Sequence, residues 1–105
     1  MTVVNFEVTS DNFVNYIIKV VGSGDITFHI KDRYSSIRNF QEMVKRNIVS
    51  PVVMPNFPQK KLWGNMEPSF LMQRQKHLEF FLNSFLAHPR VCTSRLVHNY
   101  FIEKA

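Results

Sequence analysis

A chain of 105 residues with 45% hydrophobic content can bury one core and reads as a single domain. Its 13 Lys and Arg against 8 Asp and Glu leave a net charge of +5, which favours an anionic partner: nucleic acid, an acidic protein or an anionic membrane surface. The lone Cys92 excludes an internal disulfide and a multi-cysteine zinc site, and no apolar run nears the roughly 18 residues that cross a bilayer, so membrane contact is expected to be peripheral.

Met1 to Glu7 carry neither a basic region nor a long apolar run, so no signal peptide is expected. Val4, Phe6 and Val8 alternate with Asn5 and Glu7, the period of a half-buried strand. Ser10-Asp11-Asn12 is turn chemistry, and Phe13 to Val21 follows as a strand with Tyr16, Ile18 and Val20 on one face. Gly22-Ser23-Gly24-Asp25 supplies a hairpin turn, after which Ile26, Phe28 and Ile30 alternate in a third strand.

At Lys31-Asp32-Arg33-Tyr34-Ser35-Ser36-Ile37 the strand period gives way to a helical one, and Ser35 or Ser36 is expected to cap the helix. Ile37, Phe40, Val44 and Ile48 then share a face, and Ser50-Pro51 ends the run. Residues 48–58 carry Pro51, Pro55 and Pro58 in an extended, apolar-flanked loop. Pro68 suits the first turn of a second helix, in which Leu71, Leu78, Phe81, Leu82, Phe85 and Leu86 form a stripe that His88-Pro89 terminates. Thr93 or Ser94 caps a last helix bearing Leu96, Val97, Tyr100 and Phe101. The pattern predicts an α+β fold: a three-stranded antiparallel meander packed on a helical subdomain of three or more helices, with a proline-rich loop.

Three basic elements stand out: Arg33-Tyr34, the stretch Met54-Pro55-Asn56-Phe57-Pro58-Gln59-Lys60, and Arg74. Guanidinium pairs with phosphate through two parallel bonds, and an adjacent aromatic can pack against a flat ring. Taken singly, Arg33 reads as a surface residue, Lys60-Lys61 as a solvated turn and Arg74 as the wet side of a helix beside Lys76 and His77. In order and in combination, these residues resemble a phox homology (PX) domain, with Arg33-Tyr34-Ser35, Met54 to Lys60, and Phe70 to Leu82 matching its three motifs. The likeness covers nearly the whole chain and implies one domain over 1–105, part of a longer protein.

The resemblance implies a non-catalytic module that binds phosphoinositides, most often phosphatidylinositol 3-phosphate, on the cytosolic face of endosomal membranes. Carried over by motif, Arg33 would hold the 3-phosphate, Tyr34 would pack under the inositol ring, Lys60 would approach the 1-phosphate, and Arg74 would bond the 4- and 5-hydroxyls. Asp32 departs from the pattern, standing where a second basic residue is frequent; extended backbone would turn it away from Arg33's side. Val52, Val53 and Met54 flank the proline motif without periodicity and are expected to enter the lipid interface; Trp63 is either a lipid contact or a cap on the core.

No cofactor is expected, His29, His77, His88 and His98 lack metal-ligand spacing, and no catalytic motif is visible. A protein-interaction role through Pro55 to Pro58, a P-x-x-P element, is the alternative. Nucleic acid is not an expected partner, because the basic residues are interleaved with acids and form no recognised motif.

Overall fold

The computed structural model describes residues 2–8, 13–21, 26–47, 56–60 and 66–104, with side chains described from Phe6 onward. The expected insertion residues Val52, Val53, Met54 and Trp63 lie outside the described residues, as do Pro55, Ile48 and the two expected strand-connecting turns.

Strands β1 (Thr2–Val8), β2 (Val14–Val21) and β3 (Thr27–Arg33) pair antiparallel in the order β1-β2-β3. Phe6 stands opposite Tyr16, and Ile18 opposite Ile30. Successive side chains point to opposite faces, so Tyr16, Ile18 and Ile30 meet on the inner face, each 1% exposed. Ile26 departs from the expected third strand: it lies beyond the last ladder pair, Thr27 with Val21, and is exposed.

Helix α1 (Tyr34–Arg46) follows β3 directly. The expected serine cap is replaced by another device. Arg33 is the N-cap residue, extended at φ −98° and ψ 160°, and no side chain caps the helix. Ser36 Oγ instead donates to Asp32 Oδ2 at 2.7 Å, because a carboxylate one turn away is the stronger acceptor. Ile37, Phe40 and Val44 turn their shared face into the core.

Helix α2 (Pro68–Ala87) begins with Pro68, whose missing N–H costs nothing in the first turn. Its stripe of Leu78, Phe81, Leu82 and Phe85 covers the sheet. His88 ends α2 and at once starts a one-turn helix, α3 (Pro89–Cys92), accepting from Arg90 N–H through Nδ1 at 3.2 Å. This turn was not expected from the sequence. Thr93 closes it, donating from Oγ1 to the Pro89 carbonyl at 2.8 Å, rather than capping the next helix. Helix α4 (Arg95–Lys104) then starts with the Ser94 carbonyl accepting from His98 N–H.

Phe40 joins three elements. Its ring stacks on Tyr100 with centroids 3.9 Å apart and meets Phe85 and Phe101 edge-on at 6.2 and 6.3 Å. Truncating it would remove these contacts and leave a void between α1, α2 and α4. Phe40→Ala is expected to lower stability by about 3–5 kcal/mol, read from the urea unfolding midpoint at constant slope.

Candidate functional site

The start of α1, the 56–60 strip and the first half of α2 bring together three of the four head-group candidates, Tyr34, Lys60 and Arg74. Tyr34, the first residue of α1, donates its hydroxyl to the Pro58 carbonyl and stacks on Phe57 with ring centroids 5.4 Å apart. That bond ties the proline strip to the helix start, and Pro58 is buried. The proline thus shapes a wall.

Arg74 occupies the centre. Its guanidinium lies over the Tyr34 ring at 3.9 Å and over the Phe70 ring at 4.5 Å, while Nη2 donates to the Gln59 carbonyl at 3.0 Å. The residue is only 9% exposed, and among the described residues no carboxylate pairs with it. Holding a nearly buried charge without a counter-ion is costly. Flanking π faces and the carbonyl offset part of that cost. The rest would be met by an anion.

A cleft of about 490 Å3 opens here, between Phe70, Gln73, Arg74 and His77 of α2 and the strip from Asn56 to Lys60. Arg74 and Lys60 therefore share one cavity. Lys60 is exposed, as a cation meant to reach an outer phosphate would be. His77 secures the wall, its Nε2 lying 3.1 Å from the Asn56 carbonyl. His77 is exposed, as its place on the wet side of the helix implies, and it lines the cleft with Phe70 and Gln73, neither of which is among the candidates read from the sequence. Their spacing from Arg74 (i−4, i−1 and i+3) puts Phe70, Arg74 and His77 on one helical face, and this was the available signal.

Arg33 stands apart from that cavity. Its side chain is exposed at the end of β3, with the guanidinium carbon 5.1 Å from the centroid of the Phe13 ring. Asp32 turns the other way, as extended backbone requires, and is 6% exposed. Its Oδ2 accepts from Tyr100 at 2.6 Å as well as from Ser36, and its Oδ1 accepts from Arg33 N–H at 2.9 Å. This carboxylate is consequently spent inside the fold and does not face the cleft.

Electrostatics follow from burial. Burial raises the pKa of the Tyr16 phenol, partly opposed by the nearby Arg74 guanidinium. Burial likewise raises the pKa of Tyr34, against the pull of Arg74 and Arg38. Both phenols stay neutral near physiological pH and add no negative charge to the site. Among the described residues no group of three His, Cys, Asp or Glu could hold a metal ion. Nor, among them, is any helix long and apolar enough to cross a membrane.

The cleft thus sets Arg74 and Lys60 among the rings of Phe57 and Phe70, a charge and shape suited to an anionic group. Residues 20–104 match the family model described as PX domain, and the chain belongs to that family. PX domains are generally phosphoinositide-binding modules for membrane targeting, typically non-catalytic and peripherally associated. Among solved structures, the chain is similar to a designed CISK-PX domain, with TM-score 0.82, 23% identity and 94% of each chain covered. It is also similar to the mouse SNX19 PX domain with bound sulphate ion, with TM-score 0.60, 21% identity, and 93% of this chain and 86% of that one covered. No curated protein matches the sequence.

Proposed function

We propose that this domain delivers its parent protein to endosomal membranes by binding phosphatidylinositol 3-phosphate, with residues 1–105 acting as one targeting unit. The observation that carries this reading is Arg74: a guanidinium 9% exposed, held between two rings and opening onto a cleft shared with Lys60, without a carboxylate among the described residues. Arg74 bonds the inositol 4- and 5-hydroxyls, Lys60 meets the 1-phosphate, and Tyr34 underlies the ring. Arg33 leaves the Phe13 ring to take the 3-phosphate, a monoester that its fork of donors fits better than an ammonium would.

Val52, Val53, Met54 and Trp63 enter the lipid interface beside the head group. Each inserted apolar side chain contributes up to about 1.5–3 kcal/mol, and each nearby cation roughly 1 kcal/mol. Together with a head-group pocket, these terms reach the ~8 kcal/mol of micromolar binding. Partner proteins gain no support from the P-x-x-P element, since Pro58 is buried and its carbonyl is already used by Tyr34.

Co-sedimentation with phosphatidylcholine vesicles, with and without phosphatidylinositol 3-phosphate, tests the proposal. Binding should require the inositide and weaken with salt, and Arg33→Ala should lower it at least about tenfold, the worth of one charge-assisted contact. Equal binding by Arg33→Ala and the unmutated domain would remove the 3-phosphate assignment. Tighter binding to a doubly phosphorylated inositide would replace the lipid.

A further inference from the structure

The sheet has a second face. Tyr16, Ile18, Ile30 and Asp32 point inward, so by alternation Ile17 and Lys19 of β2 and His29, Lys31 and Arg33 of β3 point outward. None of these outward side chains belongs to the core or packs against it. Along β3 the basic residues His29, Lys31 and Arg33 form one exposed row with a repeat of roughly 6.8 Å, two residues of strand. Asp32, the acid within that stretch, is turned inside. Lys19 stands directly opposite His29, and among the described residues neither has a hydrogen bond or an ion pair.

A sheet face that served solubility alone would intersperse both signs of charge. Here the acid facing outward among the described residues is Glu7 of β1, 3.4 Å from Lys31. Both of those side chains are well exposed, at 44% and 58%, so the pair contributes little and exchanges readily for another carboxylate. Basic side chains directly opposite each other repel when both are charged, and an anion between Lys19 and His29 removes that repulsion.

The repeat of the row is that of another extended chain carrying an acid at every second residue, since alternate side chains all point one way. Nucleic acid fits less well. The outward residues of β2 and β3 include no Phe, Tyr or Trp to stack a base, and Glu7 would repel phosphates. Neither these 105 residues nor a second copy of them supplies an alternating acidic segment, the nearest two acids being Glu7 and Asp11.

We propose that the outward face of β2 and β3 docks an extended acidic segment of a partner protein. Its alternate carboxylates lie along His29, Lys31 and Arg33, with Lys19 supporting the one at His29. The proposal goes beyond the inositide reading and stands without it, because the row lies outside the α2 cleft.

Two blocked peptides of one composition test it, one with glutamate and threonine alternating and one with the glutamates contiguous. Each is titrated into the labelled domain at low salt, with NMR following the side chains of Lys19, His29 and Lys31. The alternating peptide should shift all three and bind about threefold tighter or more, because its isomer turns part of its acids away from the sheet. Equal affinities, or shifts confined to other residues, overturn the proposal. Lys19→Gln with Lys31→Gln should weaken the alternating peptide at least about fivefold and leave co-sedimentation with phosphatidylinositol 3-phosphate vesicles unchanged. Glu7→Gln should tighten the peptide about twofold by removing an acid from the face. Sedimentation falling as far as peptide binding would give the face to the membrane, and tighter binding of oligothymidylate at the same side chains would give it to nucleic acid. Either result, or no gain from Glu7→Gln, overturns the proposal. Peptide binding without inositide-dependent sedimentation sustains this face and removes the inositide reading; the reverse does the opposite.

Discussion

Arg74→Ala is expected to weaken inositide-dependent vesicle binding by about a hundredfold or more, because two charge-assisted hydrogen bonds are lost at about 1.5–3 kcal/mol each. Its effect on stability should be far smaller. Substitution forfeits the stacking on Tyr34 and Phe70 and the bond to the Gln59 carbonyl, but also relieves the fold of a nearly buried charge with no carboxylate beside it among the described residues. These opposing contributions are each of order 1–2 kcal/mol and should leave the unfolding midpoint little changed. Arg74→Lys should restore little binding. An ammonium cannot lie flat between two rings while bonding Gln59 and presenting a fork to two hydroxyls. The pair of measurements is vesicle co-sedimentation and urea unfolding on the same preparations. A large stability loss with binding intact would make Arg74 a structural residue and take away the main support for the lipid site.

The fold was legible where one periodicity ruled. Alternation placed Tyr16, Ile18 and Ile30 on one face, and helical spacing placed Leu78, Phe81, Leu82 and Phe85, because burying these residues leaves the chain few other arrangements. Ile26 shows the limit: the same parity continued past the end of the ladder, and parity alone does not say where a partner strand stops. The site was legible as types of residue but not as an arrangement. Arg74 could be picked out by motif, yet its burial depends on Tyr34, Phe70 and Gln59 meeting around it in space. Asp32 read as a carboxylate awkwardly near a pocket. Its inward direction followed from the strand, but Tyr100, 68 residues away, left no local trace.

That long-range bond sets up the second large effect. Asp32 Oδ2 accepts two hydroxyls, from Ser36 of α1 and Tyr100 of α4, while Lys104 Nζ lies 3.7 Å from Oδ1. One carboxylate, 6% exposed, thereby joins the end of β3 to two helices. Asp32→Ala strips all these donors of their acceptor at once and should cost about 3–5 kcal/mol; Tyr100→Phe keeps the ring on Phe40, loses one bond to a charged acceptor, and should cost about 1.5–3 kcal/mol. Alkali probes the same contact. Burial, then the hydrogen bond to Asp32 and its charge, push the Tyr100 pKa far above the ordinary phenol value, and burial also raises those of Tyr16 and Tyr34. A phenol whose pKa is raised by folding contributes stability that is complete below its unfolded pKa near 10 and declines as pH climbs toward the folded one. The urea midpoint should accordingly hold steady up to about pH 9 and fall steeply above about pH 10, with Tyr100→Phe flattening the fall. Ultraviolet absorbance should detect little tyrosinate until the domain unfolds. A folded domain with Tyr100 ionised at pH 10 would mean that the hydroxyl does not donate to Asp32, and the junction beneath Arg33 would lose its tie to α4.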